Sequence, residues 1–342
     1  MPGLIEAHMH LMTGGSLQRP TGDLIADYNT AFFRACENAR EYLRYGYTTV
    51  RDLSSAHYSA IYVRNAINQG LIVGPRVITS GPIIMSSQKV FGLDAGHVIA
   101  DGRDECRKVA RQVLARGADV LKLYNSSNAI TPNIYNERSL RPVYSVEEIA
   151  TFVEVAEANN TYVSMHCDSA SAVNDALRAG VYTVEHAEEI DDWTMEFLAK
   201  ETAFLVPTLS PLMLLRSQFA EGSPRGVLHE KMYADSIVSF QRAYAAGFKL
   251  GFGSDIGVSN FQKHPGYEFK ARKEMMGCRD VDILLMATKY NAEILKIDHL
   301  VGMVEEGLEA DLILVDGRPD EDISAMYKKP DMVFAKGALI HD

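Results

Sequence analysis

Short apolar runs alternate with longer amphipathic stretches along most of the chain, and this alternation restricts the fold more than any other feature. GLIEAHMH (3–10), TTVRDL (48–53), PRVITSG (75–81), ADVLKLY (118–124), TYVSMHC (161–167), VYTVEHA (181–187), AFLVPTL (203–209) and KLGFGSD (249–255) read as eight strands. They are apolar almost throughout, which suits a parallel sheet buried on both faces. Helices are expected at about 27–45, from strand two to about Gly70, at about 102–116 and after Ser145. Ser145 with Glu148 three residues on is a capping box. Gly46, Gly117, Gly180 and Gly247 each stand just before a strand, where a left-handed residue ends the preceding helix. Eight such alternations are the arithmetic of a (β/α)8 TIM barrel in the α/β class.

The end of the chain differs. After helical stretches at about 265–275 and 280–296, ADLILVD (310–316), DMVFAKG (331–337) and ALIHD (338–342) read as short strands with Gly and Pro punctuation. The expected organisation is a barrel over residues 1–300 and a small C-terminal β-appendage over 301–342. The 342 residues accommodate both.

Composition narrows the function classes. The net charge is −11, with no basic cluster to neutralise phosphates, so nucleic acid is not an expected partner. No run of ~20 apolar residues is present, so no membrane span is expected. MPGLIEAHMH lacks the basic start and continuous apolar run of a signal peptide. Cys36, Cys106, Cys167 and Cys278 are far apart, which fits reduced core residues and a cytoplasmic protein. Small-molecule chemistry is what remains.

The polar residues on the strands give that chemistry a place. His8 and His10 are two apart on strand one and share a face. Lys122 lies near the end of strand four, His166 ends strand five, His186 ends strand six and Asp255 follows strand eight. Barrels hold their active sites at these C-terminal strand ends. Four imidazoles and a carboxylate there form a metal-ligand set. Lys122 fits such a set only after chemistry, because an ammonium has no lone pair. Neutral lysine reacts with CO2 to give a carbamate, an anion whose two oxygens can bridge two cations. By contrast, His57, His97, His299 and His341 fall in loops, helices or the tail.

PGLIEAHMH, ADVLKLY, VSMHC, TVEHAEEIDD and GFGSD together resemble the metal-binding strands of the amidohydrolase superfamily. TTVRDL, LVPTL and the ending VGMVEEGLEADLILVDGRPDEDI resemble its imidazolonepropionase-related subgroup, which includes Xaa-Pro and Xaa-Arg dipeptidase-like enzymes. The resemblance implies that His8, His10 and Asp255 bind a buried metal and that His166 and His186 bind a more exposed one. It implies that carboxylated Lys122 bridges the two. Two divalent ions, with zinc favoured by the donor set, are the implied cofactors. The implied activity is amide-bond hydrolysis of a dipeptide or N-acyl amino acid by metal-activated hydroxide, with Asp255 as general acid and base. A second reading keeps the site and changes the substrate to a cyclic amide, urea or carbamate, xenobiotics included. A deaminase is disfavoured by Lys122, and a non-catalytic binding relative by the full ligand set. The resemblance also favours a homo-oligomer.

The sequence departs from that pattern in places. Relatives carry strands before PGLI that pair with the C-terminal ones, so the strands at 310–341 are expected to lack partners and expose their edges. YNSSN (124–128) stands where a Ser-Gly-Gly element is usual, and SGPIIMSSQKVFGLDAGH (80–97) lacks a Gly-Gly-His. Asp168 occupies a position where some relatives have a substrate-facing Tyr. Tyr124, Asp168 and His229 are therefore candidate substrate contacts, followed by Lys231 and His264. Asp52 is a candidate for orienting a ligand histidine.

Overall fold

Burial on both faces makes the apolar runs strands, and glycine turns stop the helices between them. The computed structural model describes residues 1–12, 24–88, 97–126, 140–216, 219–220, 222–255 and 266–340. The chain divides into two units, Met1–Thr79 with Gly251–Asp342, and Ser80–Leu250.

In the first unit, β1 (Leu4–Met9), β2 (Tyr47–Asp52) and β3 (Arg76–Thr79) form a parallel sheet in that order. Helix α1 (Leu24–Arg44) joins β1 to β2, and α2 (Ser59–Asn68) joins β2 to β3. Gly46 ends α1 with φ +88°, a conformation that costs an L side chain and suits glycine. The segment 251–255 forms no regular strand, against expectation. It lies along β1 through single contacts instead: Ala7 N donates to Phe252 O (2.9 Å) and Asp255 N to His8 O (2.8 Å). Its two glycines weaken a strand here, having a freer backbone and no side chain to pack.

The helix expected at 280–296 is present but interrupted. Asp280–Leu285 is α-helical, Met286–Tyr290 is a π-turn and Asn291–Ile294 returns to α-helix.

The antiparallel C-terminal sheet is present as β10 (Leu312–Leu314), β11 (Met332–Ala335) and β12 (Ala338–Leu339), paired in that order. The expectation of unpartnered edges does not hold for β10. Residues 1–3 are extended and occupy its other side. Met1 N donates to Ile313 O and Ile313 N to Met1 O, both at 3.0 Å, and Gly3 N donates to Asp311 O at 2.8 Å. The stretch just before β1 covers this edge of β10 through an isolated antiparallel bridge, Pro2 to Leu312.

In the second unit, six parallel strands run in the order β5-β4-β6-β7-β8-β9. They are β4 (Ile84–Met85), β5 (Val98–Ile99), β6 (Leu121–Tyr124), β7 (Val163–Cys167), β8 (Thr183–His186) and β9 (Phe204–Val206). The later connections are α3 (Arg103–Ala115), α4 (Val146–Ala158), α5 (Ala170–Arg178) and α6 (Asp192–Leu198); α7 (Leu209–Arg216) and α8 (Pro224–Ala245) follow β9. The capping box on α4 is formed: Glu148 N donates to Ser145 Oγ at 3.3 Å and Ser145 N to the Glu148 carboxylate at 2.9 Å. Among the described residues, no helix is long and apolar enough to cross a membrane.

Candidate metal centre

In the first unit, His8 and His10 leave the end of β1 on one side, as alternation requires. Their rings meet edge to face with centroids 5.5 Å apart. Both Nε2 atoms reach the same oxygen, Asp255 Oδ1, at 3.7 Å from His8 and 3.0 Å from His10. His8 is buried and the other two are partly exposed. Two imidazole nitrogens and a carboxylate oxygen this close are a donor set that suits a borderline divalent cation such as zinc. The residues present therefore fit the metal that the sequence implies.

Backbone conformation places Asp255. It sits at φ +47°, in the left-handed region that non-glycine residues seldom adopt. Two buried side chains hold the segment that carries it. Glu6 Oε1 accepts from His8 N at 3.0 Å and from Ser254 N at 2.9 Å. Asn291 accepts from Phe252 N at 2.9 Å and donates to Ile5 O (2.7 Å) and Phe252 O (2.8 Å). Burial pushes the Glu6 carboxyl up to about 8, opposed by those two backbone amides.

Asp52, proposed from sequence to orient a histidine, gathers the turn after β1. Its carboxylate accepts from Leu11 N at 2.8 Å, from Ser55 Oγ and from Thr79 Oγ1 at 3.0 Å. Burial raises its pKa, and the nearby His10 opposes the rise most.

In the second unit, pairing of β6, β7 and β8 sets Tyr124 beside His166 and Cys167 beside His186. The His166 and His186 rings lie 4.2 Å apart, inclined at 64°. His166 is held on two sides. The Tyr124 ring stacks on it at 3.9 Å, and Nε2 meets the Asp168 carboxylate at 3.0 Å. His186 Nδ1 lies 2.7 Å from Thr208 Oγ1. Such partners fix which ring nitrogen faces a metal. His186 has φ +67°, so it too sits in the left-handed region. Lys122 is 1% exposed and lies two residues before Tyr124, on the same side of β6.

The candidate substrate contacts have other surroundings. Tyr124 and Asp168 are both buried against His166. Helix α5 is capped by Ser169, which accepts from Ala172 N, and not by Asp168. His229 is buried in α8 with its ring parallel to Phe219 at 4.5 Å. Lys231 pairs with Asp235 one turn on at 2.5 Å. His264 and His341 lie outside the described residues.

Sequence reading missed Glu6, Thr208 and Asn291. Glu6 was within reach, since it precedes His8 by two and shares its side of β1. Thr208 follows β9 and obeys the same strand-end rule as the histidines. Asn291 gave no local signal.

The amidohydrolase family model matches residues 1–340. An ochratoxinase of Aspergillus niger is 30% identical over 372 residues, covering 97% of this chain and 73% of the relative. The crystal structure of A. niger ochratoxinase aligns with a TM-score of 0.88 at 24% identity, over 99% of this chain and 82% of that one. A Xaa-Pro dipeptidase with bound methionine aligns at 0.85 and 25% identity, over 100% of this chain and 86% of that one. Phenylurea hydrolase B aligns at 0.82 and 21% identity, over 99% and 84%, a likeness of fold alone.

Proposed function

The chain belongs to the amidohydrolase family, and from that premise we propose that it is a binuclear metal-dependent hydrolase cleaving the amide bond of a small substrate, a dipeptide or an N-acyl amino acid. The family and its relatives make it an amide-hydrolysing enzyme with the (β/α)8 barrel fold and a small antiparallel sheet at the C-terminal end. The observation that carries the finer reading is the approach of both His8 Nε2 and His10 Nε2 to Asp255 Oδ1.

In this reading His8, His10 and Asp255 hold one divalent ion, His166 and His186 hold a second, and carboxylated Lys122 serves both. Zinc suits the nitrogen and oxygen donors best. Such ions lower the pKa of water to near ~7 and polarise a carbonyl. Asp255 would take a proton from the attacking water and return it to the leaving amine. Modification of Lys122 starts from its neutral amine, which has the lone pair that an ammonium lacks. The neutral amine forms an N–C bond with CO2 and gives up one proton, leaving a monoanionic carbamate.

The similar structure of a Xaa-Pro dipeptidase supports an amide at an amino-acid residue as the scissile bond. Four free cysteines, three of them buried, fit a reducing compartment, so we place the enzyme in the cytoplasm. Homo-oligomerisation rests on the family resemblance.

The test is a substrate panel on protein expressed with zinc and bicarbonate. Amine release from dipeptides or N-acyl amino acids is expected. Turnover confined to ureas, carbamates or cyclic amides would replace the substrate class and keep the site. Two bound ions with no turnover on any amide would overturn the proposal.

A further inference from the structure

Ser254 and Asp255 are held against β1 by two hydrogen bonds on consecutive backbone amides. Ser254 N donates to Glu6 Oε1 at 2.9 Å, and Asp255 N donates to His8 O at 2.8 Å. The same Glu6 oxygen accepts from His8 N at 3.0 Å. One fully buried side-chain atom thus touches the strand that carries His8 and His10 and the segment that carries Asp255. That segment makes no regular ladder with β1, so the side chain stands where a strand-to-strand bond would otherwise be. Asp255 is left-handed, a conformation that persists only where its surroundings over-determine it. The hydrogen bonds of the Ser254 and Asp255 amides supply part of that constraint.

We infer that Glu6 is a positioning residue that sets the spacing between the His8–His10 pair and Asp255 through one shared oxygen. The inference rests on the proposed metal site. Glu6 needs only an acceptor for this role, not a negative charge. A glutamine amide oxygen can accept the same two N–H groups, whereas a methionine of similar length has no oxygen to offer. Charge and acceptance are therefore separable by mutation.

The experiment compares wild type, Glu6→Gln, Glu6→Met and Glu6→Ala. Two quantities are read: the zinc dissociation constant by chelator competition, and hydrogen exchange of the amides at His8 and Ser254. Glu6→Gln is expected to match wild type in both. Glu6→Met and Glu6→Ala are expected to lose roughly 10- to 100-fold in zinc affinity, the usual cost of removing a ligand's support. Their Ser254 amide is expected to exchange at least about tenfold faster. Folded Glu6→Met protein with wild-type affinity and exchange would overturn the inference and leave the metal site standing. If Glu6→Met and Glu6→Ala both fail to fold while Glu6→Gln is folded and zinc-loaded, Glu6 serves folding and the inference falls. Folded wild type that takes up no zinc would overturn the metal site and the inference together.

Discussion

The two carboxylate oxygens of Asp168 lie 3.0 and 3.1 Å from a single ring nitrogen, Nε2 of His166. With Tyr124 stacked on the ring, this pins one imidazole by charge and by a flat contact. With Nε2 taken up by this carboxylate, Nδ1 would be the nitrogen left to hold a cation in the proposed site. Asp168→Asn keeps the reach but removes the charge, and Asp168→Ala removes both. We expect each to lower metal affinity or kcat roughly 10- to 100-fold, Ala more than Asn. Metal content and steady-state kinetics check this. A rise in KM alone, with metal content intact, would make Asp168 a substrate contact instead.

Lys122 sits almost wholly out of solvent, on the side of β6 that carries Tyr124. If a carbamate forms there, Lys122→Ala should abolish turnover while far-UV circular dichroism stays that of a folded barrel. Short carboxylic acids should restore part of the activity by lending the missing oxygens. A carbonyl signal from isotopically labelled bicarbonate should be present in wild type and absent in the variant. Full activity of Lys122→Ala without added acid would remove the carbamate from the mechanism.

Local rules made much of this fold legible, and distance in sequence hid the rest. The glycines expected to stop helices do so: Gly46, Gly117, Gly180 and Gly247 have φ of +88°, +99°, +87° and +79°. Each needs only its own backbone to be diagnosed. Ser145 and Glu148 needed three residues of context. His8, His166 and His186 fall in the last two residues of β1, β7 and β8, as read, with His10 just beyond β1, whereas Lys122 is the second residue of β6. Asp255 was placed too, but its segment was read as a strand. What holds it comes from Glu6, 248 residues before Ser254, and from Asn291, 286 residues after Ile5. No periodicity encodes such a contact. The covered edge of β10 was missed for the same reason, since its partner is the stretch immediately before β1.

Thiol chemistry gives an independent check on the core. Burial raises all four thiols: Cys106 to about 12, Cys278 to about 11, Cys167 well above its ordinary value, and half-buried Cys36 by less. The thiolate is the reactive form, so raised values slow reaction at any given pH. A disulfide reagent at pH 8 should label Cys36 first and reach the other three only on unfolding. The linkage has a definite sign. Unfolded thiols ionise near ~8.5, below the folded values, so the folded state loses stability as pH climbs past about 9. Unfolding midpoints across that range should fall. Rapid native labelling of all four would mean that the core is more open than these burials indicate.

Asn291 offers the clearest separation of packing from hydrogen bonding. It follows the π-turn at Met286–Tyr290, and such turns recur where a helix must re-aim a side chain. Its oxygen takes the Phe252 amide, and its nitrogen serves the carbonyls of Ile5 and Phe252. Asn291→Ala leaves the buried Phe252 amide without this acceptor, at a cost of about 1–3 kcal/mol. Asn291→Asp is nearly isosteric but aims a second oxygen at two carbonyl oxygens, and it should cost more than Ala despite the smaller change in shape. Both variants should also lower kcat, because Phe252 is three residues from Asp255 on the same tethered segment. Denaturant unfolding monitored by fluorescence ranks the three proteins. Stability in the order wild type, Ala, Asp supports the tether. Asp as stable as wild type would mean that the side chain fills space and its amide directs nothing.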